Sequence, residues 1–318
     1  MALVEARELV KRFGSLTAVD GISFSVERGE VVGFLGPNGA GKSTAMKIIS
    51  GFLEPTSGEA WIDGHNSHTD GIAARRNLGY LPEGAPAYAD MSVCAFLGFV
   101  AAMHGLSKAR AHERLAELVE RVHLSEVWNQ RIDSLSKGFK RRVGIAQALV
   151  HDPDVLILDE PTDGLDPNQK FEMRSLIRGI AAHKAIIIST HILEEVEAVC
   201  SRAIIIARGR MLADATPAAL LAGAPQAGSL AVTITSGEPQ RAIEIISREP
   251  GVAQVAIAER ANGITHLLVQ TGESRPSASA LARVLGGADI AAEEIYQKRA
   301  TLDDVFRQIT ADTPATEL

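Results

Sequence analysis

A glycine-rich segment near the amino terminus has the composition of a phosphate-binding loop. Residues 36–43 fit the pattern G-x-x-x-x-G-K-[ST] and lie between a predicted buried strand and a predicted helix. Glycines let the backbone turn tightly with its N–H groups pointing inward, and a helix N-terminus adds positive potential. We therefore expect Lys42 to reach the β- and γ-phosphates of a nucleotide, and the Ser43 hydroxyl to bind Mg²⁺. The residues predicted to hold the nucleotide are Gly36, Asn38, Gly39, Ala40, Gly41, Lys42, Ser43 and Thr44.

Two adjacent carboxylates, Asp159 and Glu160, follow a buried apolar run at residues 155–158. The carboxyl end of such a strand is where open α/β sheets bind their ligands. Asp159 is expected to hold Mg²⁺ or its water, and Glu160 to polarise an attacking water as a general base. An apolar run that ends in Asp-Glu is common, so this prediction depends on its pairing with the glycine-rich loop.

A histidine, His191, follows another apolar run at residues 185–189. An imidazole there can contact the γ-phosphate and steady the water that Glu160 activates. An isolated histidine is by default a satisfied or exposed loop residue. Its position just after a strand favours the catalytic interpretation.

The elements that must position these residues alternate between strand and helix, which predicts a mainly parallel sheet. Residues 91–150 are mostly helical, and Ser107 is a plausible N-cap for the helix that carries Leu115 and Leu118 on one face. A further helix is expected after the glycine-rich loop, at residues 43–50. Strands are predicted at residues 3–10, 22–26, 31–35, 155–158, 185–189 and 203–207.

The tail of the chain has a different pattern, which begins after an Ala-, Pro- and Gly-rich stretch at residues 216–228. The order β-α-β-β-α-β predicts a ferredoxin-like arrangement, with Asn262-Gly263 as a hairpin turn. A last helix at residues 302–309 follows Thr301 and Asp304, which resemble a capping box and need no catalytic explanation. The predicted strands and helices are 230–235, 239–248, 252–259, 265–270, 277–285 and 290–297.

Length and composition fit a globular protein of two domains. The chain has 318 residues, 46% hydrophobic and 22% charged, with a net charge of -7 and no long basic run, so no nucleic-acid partner is expected. Cys94 and Cys200 are expected to be small core residues in a reducing compartment.

No secretory signal is recognised, and the longest apolar run, residues 93–103, is shorter than the roughly 20 residues that span a bilayer. Any action on a membrane would need another chain.

The segment Leu135-Ser136-Lys137-Gly138-Phe139 resembles the signature sequence LSGGQ of the ATP-binding subunits of ABC transporters, and the order of all motifs over residues 2–220 is similar to that family. The resemblance implies that Ser136 and the Gly138 backbone contact the γ-phosphate bound by a second copy, at the start of a helix that runs from Gly138 to Val150. It also implies that Phe13 stacks on adenine, although a buried core phenylalanine is an alternative. Asp166, in a segment like the family's D-loop, would work at the dimer interface.

The fold that this resemblance implies is α/β: a P-loop ABC ATPase cassette over residues 1–220, with a mixed sheet core and a helical subdomain at about 86–150. Residues 221–318 would form a small α+β ferredoxin-like domain. The implied cofactors are ATP and Mg²⁺. The implied assembly is a homodimer that sandwiches two ATP molecules, joined to an integral membrane permease at the cytoplasmic face of the inner membrane.

Two departures from the family pattern stand out. Glu83 replaces the glutamine of the Q-loop; its carboxylate can still ligate Mg²⁺ and take part in catalysis, but cannot donate a hydrogen bond while ionised. Lys137 and Phe139 replace Gly and Gln in the signature, so Lys137 is either a cation near the γ-phosphate or a solvated side chain. Both departures resemble the ABC-2 type exporters, including gliding-motility, sodium and drug-efflux relatives.

The resemblance leaves two other functions open. A soluble ABC ATPase of ribosomes or DNA is one, although ribosomal relatives usually carry two cassettes and DNA-repair relatives insert long coiled coils. An importer ATPase with a regulatory tail is the other, and the tail together with Glu83 favours export over it. The sequence does not identify the transported substrate, because in this family the membrane chain selects it.

Overall fold

The computed structural model describes residues 2–222, 229–235, 238–261, 263–272, 276–298 and 301–311. The chain divides into two compact units, Met1–Pro217 and Ala218–Leu318. The first contains two large hydrophobic clusters and the second contains one of its own. Within the described residues, no helix combines the length and the apolarity that crossing a membrane requires.

The first unit contains two sheets. Its strands are β1 (Ala2–Phe13), β2 (Leu16–Glu27), β3 (Val31–Leu35), β4 (Ser57–Ile62), β5 (His65–Asn66), β6 (Leu78–Leu81), β7 (Val155–Asp159), β8 (Ala185–Thr190), β9 (Arg202–Ala207) and β10 (Arg210–Ala215). Its helices are α1 (Lys42–Ile49), α2 (Gly71–Arg76), α3 (Val93–Met103), α4 (Lys108–Arg121), α5 (Lys137–Leu149), α6 (Pro167–Ala181) and α7 (Leu193–Val199), after which α8 (Pro217–Ala222) follows.

The larger sheet has the strand order β10-β9-β3-β8-β7-β6. All its neighbours pair in parallel except β10, which is antiparallel to β9. Strands β3, β7 and β8 are buried along their whole length, as parallel strands covered on both faces must be. This explains their apolar sequences, which polar residues replace only at the carboxyl ends of β7 and β8. The mainly parallel sheet predicted from the sequence is confirmed here.

The smaller sheet is antiparallel, with the order β2-β1-β4-β5. Strands β1 and β2 are longer than predicted, because their exposed outer ends continue the pairing beyond the apolar residues that mark a strand in the sequence. The sheet core of this unit is therefore mixed, as expected for the fold.

The stretch between β6 and β7 is mostly helical, as predicted, and packs into one hydrophobic cluster with the parallel sheet. Ser107 caps α4, where its hydroxyl accepts a hydrogen bond from the Arg110 N–H at 3.3 Å. Helix α5 begins at Lys137, one residue before the predicted start, because Ser136 is its N-cap. This region carries the signature segment.

The second unit follows the predicted order β-α-β-β-α-β. Its elements are β11 (Leu230–Ile234), α9 (Pro239–Ser247), β12 (Val252–Ala261), β13 (Ile264–Thr271), α10 (Ala278–Gly287), β14 (Ala292–Gln297) and α11 (Leu302–Ala311). The four strands form an antiparallel sheet in the order β12-β13-β11-β14. The Thr301 N–H donates to Asp304 Oδ2 at 3.1 Å and the Asp304 N–H to Thr301 Oγ1 at 3.3 Å, which is a reciprocal capping box. Asn262 of the predicted hairpin turn lies outside the described residues.

Candidate functional site

Four adjacent strands of the parallel sheet, in the order β3-β8-β7-β6, end in the segments that the sequence singles out. The glycine-rich loop follows β3, His191 follows β8, Asp159 and Glu160 stand at the end of β7, and Glu83 follows β6. Because parallel strands end at the same edge of a sheet, residues that are far apart in the sequence meet there.

At this edge lies an open cleft of about 670 Å³. It brings together most of the residues predicted for catalysis and nucleotide binding. The residues that line it are Phe13, Leu16, Ala18, Asn38, Gly39, Ala40, Gly41, Lys42, Ser43, Thr44, Glu83, Glu160, Asp163 and His191. Leu16, Ala18 and Asp163 were not predicted, and their residue types carry no signal for a nucleotide site. Gly36 and Asp159 are buried just behind the lining residues.

The glycine-rich loop leads directly into α1. Gly41 has a φ of +105°, and a Cβ there would lie 2.3 Å from the Ala18 carbonyl oxygen, so only glycine fits. Gly41 is also the N-cap of α1 and has no side chain to satisfy the first N–H groups of the helix. Those N–H groups remain available to an anion, which is the arrangement that binds phosphate.

Lys42 is buried within this loop and 6% exposed. Its Nζ donates to the carbonyl oxygens of Gly36 at 2.7 Å and Pro37 at 3.2 Å. Burial lowers the pKa of Lys42, while the carboxylates of Glu160, Asp159 and Glu83 act in the opposite direction. The ammonium group is thus a preorganised donor whose partners are neutral carbonyls that a phosphate oxygen can replace.

Two oxygen-bearing side chains beside the phosphate-binding loop, Ser43 and Asp159, are suited to a hard cation such as Mg²⁺. Ser43 Oγ lies 3.4 Å from Asp159 Oδ1, and Asp159 is 1% exposed. Ser189 Oγ also donates to Asp159 Oδ1 and accepts a hydrogen bond from the Glu160 N–H at 3.2 Å. No cluster of three or more His, Cys, Asp or Glu side chains suited to a metal occurs in the described residues. A hydroxyl and one carboxylate suit Mg²⁺, which commonly takes its other ligands from water and phosphate.

Glu160 and His191 form a pair at the rim of the cleft. His191 Nδ1 lies 3.0 Å from Glu160 Oε2 and 3.1 Å from Oε1. Glu160 has a φ of +50°, a conformation that non-glycine residues rarely adopt and that often occurs at functional sites. Burial raises the pKa of Glu160, and the neighbouring His191 and Lys42 oppose that effect. A carboxylate of raised basicity that is held by an imidazole suits a general base.

Glu83 and Phe13 both line the cleft, and both are exposed. Phe13 is 48% exposed, so the alternative of a buried core phenylalanine is wrong. Lys11 Nζ lies 5.3 Å from the centroid of the Phe13 ring. An exposed aromatic face at the cleft, with a cation on it, is suited to stacking on a nucleotide base.

Three predicted residues, Ser136, Gly138 and Asp166, lie outside the residues that line the cleft. The Ser136 hydroxyl accepts from the Phe139 N–H at 3.4 Å at the start of α5. A Cβ on Gly138 would lie 2.8 Å from the Gln169 side chain. Asp166 caps α6 by accepting from the Gln169 N–H at 2.9 Å. The structure thus places the start of α5 beside the start of α6.

Comparisons with known proteins indicate the family of this chain. The family model described as ABC transporter matches residues 19–163. The probable multidrug ABC transporter ATP-binding protein YbhF of Escherichia coli is 38% identical over 216 residues, which are 68% of this chain and 37% of that protein. The daunorubicin resistance ATP-binding protein DrrA3 of Streptomyces coeruleorubidus is 32% identical over 312 residues, covering 95% of this chain and 94% of that protein.

Solved structures show the same likeness. The cbiO1 protein from Clostridium perfringens, part of the ABC transporter complex cbiONQ, has a TM-score of 0.63 and 30% identity, covering 70% of this chain and 91% of that chain. The match over nearly the full length of a resistance ATP-binding protein, together with the loop, the carboxylate pair and the signature, identifies the family. This chain belongs to the ATP-binding subunits of ABC transporters, which are ATPases.

Proposed function

We propose that this chain is the ATP-hydrolysing subunit of an ABC exporter, acting at the cytoplasmic face of the inner membrane on a separate permease. The observation that carries the proposal is the single cleft in which the phosphate-binding loop, Glu83, Glu160 and His191 meet. The names of the relatives support export: they include multidrug, daunorubicin resistance and Nod factor export proteins.

In this proposal the first-turn N–H groups of α1 and the Lys42 ammonium hold the phosphates, and Phe13 stacks on the adenine. Glu160 takes a proton from the attacking water, and His191 holds the carboxylate in place and contacts the γ-phosphate. Ser43 and Asp159 would hold Mg²⁺, with Glu83 at the cleft margin as a further ligand. When bound, the ion neutralises charge on the phosphates.

The same proposal completes the site with a second copy of the chain. Ser136 and the Gly138 backbone would contact the γ-phosphate held by the partner copy, and Asp166 would lie at the interface between the copies. The N-terminus of α5 favours an anion. Lys137, at its first position, has no acidic residue beside it in the first helical turn. A cation at a helix N-terminus is unfavourable unless an anion lies close by, which supports a role for Lys137 beside the partner's nucleotide.

The experiment that tests the ATPase mechanism is Glu160→Gln. The variant keeps the size of the side chain and removes the base, so we expect it to bind ATP, to hydrolyse it about 100-fold more slowly or worse, and to accumulate as an ATP-bound dimer. The measurements are turnover and the molar mass in solution with and without ATP. Glu160→Gln combined with Lys42→Ala is the matched control and should form no ATP-dependent dimer. Normal turnover by Glu160→Gln would remove Glu160 from its proposed role.

The partner is tested by purification of the intact chain from membranes. A permease that co-purifies, together with ATP-dependent efflux that Glu160→Gln abolishes, supports the exporter. Co-purification with a permease and a solute-binding protein would indicate an importer. Recovery with ribosomes or DNA and without any membrane chain would overturn both transport functions.

A further inference from the structure

A buried carboxylate outside the cleft joins the two loops that carry Glu160 and His191. Glu195, on α7, is 4% exposed, and the Thr162 and Thr190 side chains that surround it are 3% and 0% exposed. Thr162 Oγ1 donates to Glu195 Oε1, and Thr190 Oγ1 donates to Glu195 Oε2 at 2.9 Å. We call these three residues the Glu195 latch.

The two threonines are close in sequence to the catalytic pair. Thr162 is two residues after Glu160, and Thr190 immediately precedes His191. Thr190 Oγ1 also accepts a hydrogen bond from the Ile192 N–H at 3.0 Å, which fixes the backbone on the far side of His191. The latch therefore holds both loops at a position adjacent to the reacting groups.

Each oxygen of the Glu195 carboxyl group accepts a hydrogen bond from one threonine hydroxyl, so both oxygens take part in the latch. The side-chain hydrogen bonds of Glu195 are the ones that it accepts from these two hydroxyls. A buried carboxylate is costly unless it is hydrogen-bonded, so either hydroxyl is expected to matter.

Helix α7 that carries Glu195 is itself anchored to the strand leading into the phosphate-binding loop. A Cβ on Gly33 of β3 would lie 2.9 Å from Cys200 Sγ and 3.2 Å from Val196 Cγ2, so helix and strand are in close contact there. The middle of β3 and the segments at the ends of β7 and β8 are thus connected to one helix, and the latch is the polar part of that connection.

From this geometry we propose that Glu195 is a positioning residue for ATP hydrolysis, a proposal that rests on the function proposed above. Through Thr162 and Thr190, Glu195 holds the Glu160 carboxylate and the His191 imidazole at the separation that the reaction requires. Glu195 is not among the residues that line the cleft. A displacement of about 1 Å in a catalytic group can lower a rate by roughly 100-fold, so a small relaxation of either loop is enough to be measured.

The test compares isosteric and conservative changes of the two threonines. Thr162→Val and Thr190→Val remove one hydroxyl each without changing the shape, and we expect kcat for ATP hydrolysis to fall roughly 10- to 100-fold while the Kd for ATP stays the same. Thr162→Ser and Thr190→Ser keep the hydroxyl and should restore kcat close to that of the parent. Glu195→Gln, which offers one acceptor oxygen in place of two, should lower kcat in the same way.

Thr265→Val is the matched control, because Thr265 is a 2% exposed strand threonine of the second unit. It should leave kcat unchanged, and thermal unfolding of every variant reports losses of stability. Three results would each overturn the proposed role of the latch. The first is full kcat in both valine variants, and the second is a kcat in the serine variants that stays as low as in the valine variants. The third is a loss of ATP affinity that parallels the loss of kcat. Glu160→Gln is measured in the same assay. Normal turnover by Glu160→Gln would overturn the proposed hydrolysis mechanism. If Glu160→Gln is inactive and both valine variants are fully active, only the role of the latch is overturned.

Discussion

Some side chains at the candidate site could be predicted from the sequence, and others could not. Lys42, Asp159 and Glu160 belong to short sequence motifs, so the sequence alone was enough to single them out. Ser189 was missed as a site residue, although its hydroxyl donates to Asp159 Oδ1 and accepts from the Glu160 N–H. Its role follows from the register of β7 and β8, which pairs Asp159 with Ser189. A register between strands that lie far apart in the chain has no local signature.

Phe13 offers a prediction at the scale of one residue. Because Phe13 is 48% exposed in the cleft, Phe13→Ala should leave the free energy of unfolding nearly unchanged. Stacking on a base contributes about 1–3 kcal/mol, so the Kd for ATP should rise roughly tenfold. Equilibrium binding of a nucleotide measures this. Phe52→Ala is the control, since Phe52 is 77% exposed and is not among the cleft-lining residues. Equal affinities in both variants would mean that Phe13 does not stack on the base.

At the scale of elements, the buried strands were the most predictable part of the fold. Strands β3, β7, β8 and β9 are short apolar runs bounded by polar residues, and their predicted bounds agree closely with the observed ones. Strand β6, Leu78–Leu81, was not predicted, because four residues with a glycine among them carry too weak a pattern. Glu83 was therefore placed by its resemblance to the Q-loop, and only the sheet shows why it reaches the cleft.

The helix caps add a prediction at this scale. Asp166 accepts from the Gln169 N–H at the start of α6, so Asp166→Ala should lower the free energy of unfolding by about 1 kcal/mol. Asp166→Asn keeps a capping oxygen and should retain that stability, while its ATPase rate should fall if the charge acts across the dimer interface. Chemical denaturation and turnover separate the two roles. An Asp166→Asn variant with full stability and full activity would leave Asp166 as a cap alone.

For the whole molecule, the separate hydrophobic cores predict separate unfolding. The first unit has its own two clusters and the second has one, so calorimetry should resolve two transitions. ATP at about 100 times its Kd stabilises the unit that binds it by roughly 2.7 kcal/mol, which should raise the midpoint of the larger transition alone. Lys42→Ala should abolish the shift. One cooperative transition that moves as a whole with ATP would contradict this prediction.

Ser136 lies outside the residues that line the cleft of its own chain, and this has a genetic consequence. If each working site takes its phosphate-binding loop from one copy and Ser136 from another, then a defective copy harms the intact copy that it meets. An allele that encodes Glu160→Gln would be dominant, because its product occupies partners without releasing them. Two alleles that lack Lys42 and Ser136 respectively would instead complement each other, since a mixed pair of their products still contains one complete site.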